Sequence, residues 1–139
     1  ADNIEDNLGP SKFIIFYLLS GIGAAMTQVF MDIQSQIPMV GASGAVAGLF
    51  GMYLLWFRHA SLTFMFIVWQ KKLNPAWYFA IWAAMNIIGL LSEDLSVAYW
   101  AHLGGLVAGL AVGLALKQKV MAKNPMLQLL QRPEAKILR

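Results

Sequence analysis

Residues 41–48, which read Gly-Ala-Ser-Gly-Ala-Val-Ala-Gly (GASGAVAG), stand at the start of an apolar run that continues to Phe57. They place one hydroxyl, that of Ser43, where an apolar helix has no need of one. A buried hydroxyl without a partner costs about 1–3 kcal/mol, so Ser43 has either a structural or a chemical use. The structural use is a helix cap or a close helix contact, which glycines four residues apart, such as Gly44 and Gly48, allow in membranes.

The composition excludes a soluble domain. Of the 139 residues, 59% are hydrophobic and only 12% are charged, whereas soluble domains carry about 25% charged residues. We therefore interpret the chain as an integral membrane protein that forms one compact unit. It contains no cysteine, which excludes disulfides and thiolate metal sites. Its first seven residues include three acids and no basic residue, so we expect no signal peptide here. The sequence also lacks an initiator Met, so we expect a fragment or a processed product.

Four apolar segments are predicted to form transmembrane helices, because about 20 residues at about 1.5 Å each cross a hydrocarbon core. These four segments are residues 13–30, 42–57, 76–91 and 98–116. The predicted fold is thus an all-α, polytopic membrane helix bundle over 13–116, between a polar lead-in at 1–12 and a basic tail at 117–139. Residues 61–69 are apolar but too short to span, so they extend the second helix, lie in the membrane interface or begin a hairpin.

Basic residues set the predicted orientation, since connections rich in Lys and Arg stay on the cytoplasmic side. The connection between the second and third helices contains Arg58, Lys71 and Lys72 and no acid, and the tail has six basic residues against one acid. The charged residues of the other two connections are all acidic. Both termini are therefore expected in the cytoplasm, and the second and fourth helices are expected to run parallel from the outer to the inner face.

A histidine, His102, lies near the start of the fourth helix, in the stretch AHLGGLVAG (101–109). An ionisable residue in an apolar span either bonds to a neighbouring helix or has a function. Because the second and fourth helices are parallel, His102 and Ser43 are expected at depths that differ by about 3 Å. Ladders of small residues let two such backbones approach each other closely. The ladder glycines are Gly44, Gly48 and Gly51 on the second helix and Gly105, Gly109 and Gly113 on the fourth.

A serine beside a histidine is the pair that nucleophilic catalysis requires, because the imidazole takes the hydroxyl proton and returns it to the leaving amine. The backbone at Gly41 and Gly44, around the start of the second helix, is expected to support an oxyanion. No third acid is evident, since Asp94 falls in a connection between helices. Two polar side chains within the spans are expected to form hydrogen bonds between helices: those of Gln28 and Asn86.

Two stretches, GASGAVAGLFGMY (41–53) and AHLGGLVAGL (101–110), together resemble the rhomboid intramembrane serine proteases. The upstream IEDNLG and KFIIFYLLSG are similar to the segment that precedes the nucleophile helix of that family, so the resemblance extends to about Leu116. It implies a bundle of six core helices that cleaves transmembrane protein substrates near the membrane surface. By this resemblance Ser43 is the nucleophile and His102 the general base, the third helix is a mobile gate for substrate, and no metal or organic cofactor is needed.

The chain departs from this family in one large respect, because its four predicted spans correspond to the last four of six. The family's second helix carries a His and an Asn that help line the oxyanion site, and the loss of one such donor costs about 10²–10³ in rate. Two alternatives stay open for the two missing helices: a further chain or segment supplies them, or they are absent. The other expected partners are a transmembrane protein substrate and membrane lipids.

Two functions stay open on the sequence alone. The first is an intramembrane serine endopeptidase that uses a dyad of Ser43 and His102, with its active site near the outer face. The second is a non-catalytic rhomboid-like subunit that binds transmembrane helices or packs in a larger membrane complex, which the missing helices favour. A channel or transporter is disfavoured because the spans have few polar groups. Nucleic-acid binding is not expected, since topology and anionic lipids explain the basic tail.

Overall fold

A computed structural model describes residues 2–34, 36, 42–57, 62–66, 69–73, 75–92 and 97–130. Within these ranges the chain forms helices and one pair of strands. The helices are α1 (Asp2–Leu8), α2 (Pro10–Met31), α3 (Ser43–Trp56), α4 (Pro75–Leu91), α5 (Tyr99–Lys123) and α6 (Pro125–Leu130), and the strands are β1 (Leu62–Phe66) and β2 (Trp69–Leu73). The four predicted apolar helices are all present, as α2 to α5, and the helical fold class is confirmed.

Two of these helices are long and apolar enough to cross a membrane, α2 with 22 residues and α5 with 25. α3, with 14 residues, and α4, with 17, are also apolar but shorter. α2 starts sharply at Pro10, whose fixed φ suits the first helical position. It follows Gly9, whose φ of 81° gives the chain a turn that residues with side chains rarely make. Many large apolar side chains on α2 and α4 are exposed, which is expected of surfaces that face lipid.

The centre of the bundle is the contact between α3 and α5. A methyl group added at Gly105 would overlap the carbonyl oxygen of Gly44, and one added at Gly109 would overlap that of Gly48. Further along, the position of a Cβ on Gly113 lies 3.2 Å from the Cα of Met52. The contacts advance by four residues on both helices in the same direction, so α3 and α5 run parallel, as predicted.

The opposite end of α3 from Ser43 is covered by the first and last helices. Trp56 is fully buried there, and its Nε1 donates a hydrogen bond to the carbonyl of Gly113 at 2.9 Å. Ile4 of α1 and Leu127 of α6 pack into the same apolar cluster. A hydrogen bond of 3.2 Å from Asn124 Nδ2 to Asn7 Oδ1 joins α1 to the residue that follows α5. The polar lead-in and the start of the basic tail are therefore helical and contribute to the core.

α5 is longer than the sequence patterning indicated. We expected its end near Leu116, where the lysines begin, but it continues for seven more residues to Lys123. Lysine is a good helix former, and Lys119 and Lys123 are exposed while Val120 between them is buried. The helix ends before Pro125, which cannot donate the next backbone hydrogen bond. A change from apolar to basic residues therefore did not mark the end of this helix.

A short hairpin occupies part of the connection between α3 and α4. β1 pairs with β2 in antiparallel register, from Leu62 opposite Leu73 to Phe66 opposite Trp69. The sequence LTFMF of β1 is rich in residues that favour strands. Of the three alternatives for residues 61–69, the hairpin agrees with the described residues 62–66 and 69, which lie in these two strands.

We expect Gly109→Ala to destabilise the bundle, because the added methyl group meets the backbone of α3 rather than a movable side chain. The expected loss is about 1–3 kcal/mol, as for an overpacked core. Thermal unfolding in detergent, followed by tryptophan fluorescence, measures it. Gly23→Ala in α2 is the control, since nothing lies within 4 Å of its added methyl group. Equal unfolding midpoints for the two variants would show that the close α3–α5 contact does not limit stability.

Candidate active site

Ser43 is the first residue of α3, and its side chain is exposed. The residue at the N-cap is Ala42, and no side chain caps the helix. The first turn of a helix has amides without intrahelical acceptors. In α3 the amide of Val46 donates a hydrogen bond to the carbonyl of Ala42. Ser43 is therefore not a helix cap. It lies next to first-turn amides that form no hydrogen bond with a capping side chain.

His102 lies in the first turn of α5, half-buried, with its amide bonded to the carbonyl of Ala98 at 3.3 Å. Its ring centroid is 5.8 Å from that of Trp82 and 6.5 Å from that of Tyr99. Tyr99 itself reaches α4, where its ring fills the space that a side chain on Gly89 would take. The imidazole is thus enclosed by aromatic rings on the side that faces α4.

The contact between α3 and α5 sets Ser43 and His102 at the same level. A Cβ placed on Gly44 lies 3.3 Å from the carbonyl oxygen of Ala101. The residue after Ser43 therefore touches the residue before His102. No hydrogen bond joins the two side chains in the part of the chain that is described; the imidazole instead bonds to Asn86 of α4. Catalytic hydrogen bonds are often long in unliganded enzymes and shorten only when substrate binds.

Asn86 makes that bond with its Oδ1, which lies 2.8 Å from His102 Nδ1. The side chain is 4% exposed. The expectation that Asn86 links helices is confirmed, but its partner was not foreseen. The available signal was the spacing of Trp82, Asn86 and Gly89, which places one polar residue and one small residue on the same face of α4.

Gln28 fixes the start of α5 from the other side. Its Oε1 accepts a hydrogen bond of 3.2 Å from the amide of Ala101, in the first turn of α5. No side chain of α5's own N-cap does this, since that residue is Ala98. Gln28 is 4% exposed. The prediction of a helix-linking role is confirmed, and the bond holds the backbone one residue before His102.

Other predicted positions fall elsewhere. Gly48, Gly51, Gly105, Gly109 and Gly113 all lie at the contact between α3 and α5. Gly41 and Asp94 lie outside the described residues. Within the described ranges, no group of three or more His, Asp or Glu side chains is placed to hold a metal ion.

The family model and the relatives that match this chain all have the same family name. A family model described as the Rhomboid domain matches residues 1–119. The chain is 29% identical to RHOMBOID-like protein 5 of Arabidopsis thaliana over 119 residues. This alignment covers 81% of the chain and 34% of that protein. The chain is 33% identical over 114 residues to RHOMBOID-like protein 6, mitochondrial, of the same plant, with the same two coverages.

A third relative is Rhomboid protein 1, mitochondrial, of Saccharomyces cerevisiae, which is 32% identical over 119 residues, 81% of this chain and 33% of that protein. The chain therefore spans about a third of the length of the curated relatives that it matches. No solved structure gives a significant match.

Replacing Gln28 by Leu is expected to loosen the first turn of α5, because the buried amide of Ala101 loses its acceptor. An unsatisfied buried donor costs about 1–3 kcal/mol. Hydrogen exchange at the amide of Ala101 should become faster, and the unfolding midpoint in detergent should fall. Gln118→Leu makes the same chemical change at an exposed position of α5 and should leave both unchanged. Unchanged exchange at Ala101 in Gln28→Leu would show that the bond does not hold this turn.

Proposed function

Because the chain belongs to the rhomboid family, we propose that it is a serine endopeptidase that cleaves transmembrane proteins within the membrane. In this proposal Ser43 is the nucleophile and His102 is the general base. The observation that supports it is the close approach of the backbones at Gly44 and Ala101, each next in sequence to one residue of the dyad, on adjacent, parallel helices. The exposure of Ser43 at the start of α3 leaves it accessible to a substrate.

The proposed reaction uses the dyad in two steps. His102 accepts the Ser43 hydroxyl proton while Oγ bonds to the carbonyl carbon of the scissile peptide, whose π electrons move to its oxygen. First-turn amides of α3, with the backbone at Gly41 and Gly44, donate hydrogen bonds to that oxyanion. His102 then gives the proton to the leaving nitrogen as the C–N bond breaks. Water hydrolyses the acyl-enzyme by the same route and restores Ser43.

The proposed partners are a transmembrane protein substrate and membrane lipids. The exposed side of α4 supports both partners, since a transmembrane helix or lipid can contact its row of exposed apolar side chains: Trp77, Ile81, Met85, Ile88 and Leu91. From the basic residues of the connection after α3 and of the tail, we place the Ser43 end near the outer face and the C-terminus in the cytoplasm. We also propose that a further segment or chain supplies two more helices, because this chain spans about a third of its relatives.

A non-catalytic, rhomboid-like subunit that binds transmembrane helices is the second candidate. Two observations favour it. Ser43 and His102 are not hydrogen-bonded to each other in the described part of the chain, and an open apolar groove of about 600 Å³ lies between α1, α2 and α3. The groove is lined by Ile4, Phe13, Tyr17, Val46, Leu49, Phe50 and Tyr53. A groove of this kind fits the side of an apolar helix.

Labelling with a fluorophosphonate probe separates the two candidates. If the peptidase proposal is correct, the wild-type chain reconstituted in lipid nanodiscs is labelled, because the probe reacts only with a serine whose proton has a base to receive it. Ser43→Ala should abolish labelling, and His102→Ala should lower its rate by about 10²–10⁴, the usual contribution of a general base.

Ser11→Ala is the matched control, since Ser11 is also an exposed serine in the first turn of a helix. It should be labelled like the wild type. A folded wild-type chain that is not labelled supports the non-catalytic subunit. Labelling that persists in Ser43→Ala would contradict the assignment of the nucleophile.

A further inference from the structure

The amide of Asn86 is a buried group with both of its polar ends engaged. Its Nδ2 donates a hydrogen bond of 2.7 Å to the carbonyl oxygen of Trp82, one turn earlier in α4. Its Oδ1 lies 2.8 Å from His102 Nδ1. A carbonyl oxygen only accepts hydrogen bonds, so the Trp82 carbonyl requires the NH₂ end of the amide on its side. The orientation of Asn86 is therefore set within α4, independently of the histidine.

This orientation decides which nitrogen of His102 carries its proton. The amide oxygen of Asn86 has no proton to give, so His102 Nδ1 must be the donor in their bond. A neutral imidazole has one N–H and one nitrogen with a lone pair. With Nδ1 protonated, the lone pair is on Nε2.

We propose that Asn86 is a positioning residue that holds His102 in the Nδ1–H form, so that Nε2 is the nitrogen that accepts the Ser43 proton. This inference rests on the proposed peptidase function. Asn86 acts only through His102, because it touches neither Ser43 nor the reacting atoms. It thus supplies the third group that orients a catalytic base, in a chain where the sequence offered no third acid.

The rings around His102 support the same role. Trp82 lies one turn before Asn86 on α4, and its ring is 5.8 Å from the imidazole between centroids. Gly89 lies about one turn after Asn86 and admits the ring of Tyr99, which contacts His102 edge-on at 86°. The hydrogen bond to Asn86 and the two rings together limit rotation of the imidazole. In this arrangement α4 orients the base, although α5 carries it.

The test compares three variants in the full chain. Asn86→Leu removes the acceptor, and Asn124→Leu is the control. Asn86→Asp keeps an acceptor oxygen for His102 Nδ1 at the same reach but loses the donor to the Trp82 carbonyl. Asn124 also makes a side-chain hydrogen bond, to Asn7 of α1, but it follows the last residue of α5, at the opposite end of that helix from His102. The control therefore reports the cost of losing one Asn hydrogen bond without touching His102.

The direct readout is the ¹⁵N NMR spectrum of the histidine rings. The chain has two histidines, so a His59→Gln background leaves the signals of His102 alone. The wild type and Asn86→Asp should show a protonated Nδ1 and an unprotonated Nε2, whereas Asn86→Leu should show a mixture of both neutral forms. The rate of fluorophosphonate labelling should fall roughly 10–100-fold in Asn86→Leu, part of the contribution of a general base. It should recover to within a few-fold of wild type in Asn86→Asp.

Each outcome decides one question. If His102 keeps the Nδ1–H form in Asn86→Leu, or if that variant labels as fast as Asn124→Leu, the positioning role is wrong, and the peptidase proposal stands. If the ring signals change as expected but the wild type is not labelled, the peptidase proposal fails, and the structural role of Asn86 stands. Thermal unfolding of Asn86→Leu and Asn124→Leu in the same detergent separates slower labelling from unfolding.

Discussion

The close approach of two helix backbones, α3 and α5, is the constraint on which this structure depends. Carbonyl oxygens of Gly44 and Gly48 occupy the space that side chains on Gly105 and Gly109 would need. Burial of apolar surface does not drive helices together in lipid, so close packing of small residues has a larger share in their association. The same contact sets the first turns of both helices side by side. The placement of Ser43 next to α5 is thus a result of packing along the whole interface.

The start of α5 is held by two amide side chains from two other helices. Gln28 of α2 binds the backbone at Ala101, and Asn86 of α4 binds the imidazole of His102. A polar side chain without a partner in an apolar bundle is costly. Gln28 and Asn86 avoid this cost because each forms a hydrogen bond with one of two adjacent residues of α5. Ser20 of α2 differs, since its buried Oγ has no hydrogen-bond partner in the described structure. It lies where a side chain on Gly48 would be, so this hydroxyl contributes by filling space.

Sequence patterns predicted the parts of this fold that local rules determine. Runs of apolar residues marked four helices, and glycines four apart marked the face along which α3 and α5 meet. The burial of Ile4 and Leu127 in one apolar cluster could not be predicted, because neither α1 nor α6 is long enough to show a pattern. The bond between Asn86 and His102 was equally hidden, since periodicity shows which face a residue lies on but not its partner. The basic residues after Leu116 were misleading because exposed lysines are compatible with a continuing helix.

The length of α3 also has a consequence for the surrounding bilayer. Its 14 residues make a helix about 21 Å long, which is about 9 Å less than the thickness of a typical hydrocarbon layer. One end, at Trp56, is covered by protein, so the adjustment at that end is made by packing. At the other end, the lipid next to the helix must thin or the helix must end below the level of the headgroups. Thinning of the lipid brings the boundary of bulk water towards Ser43, and the proposed peptide hydrolysis consumes water.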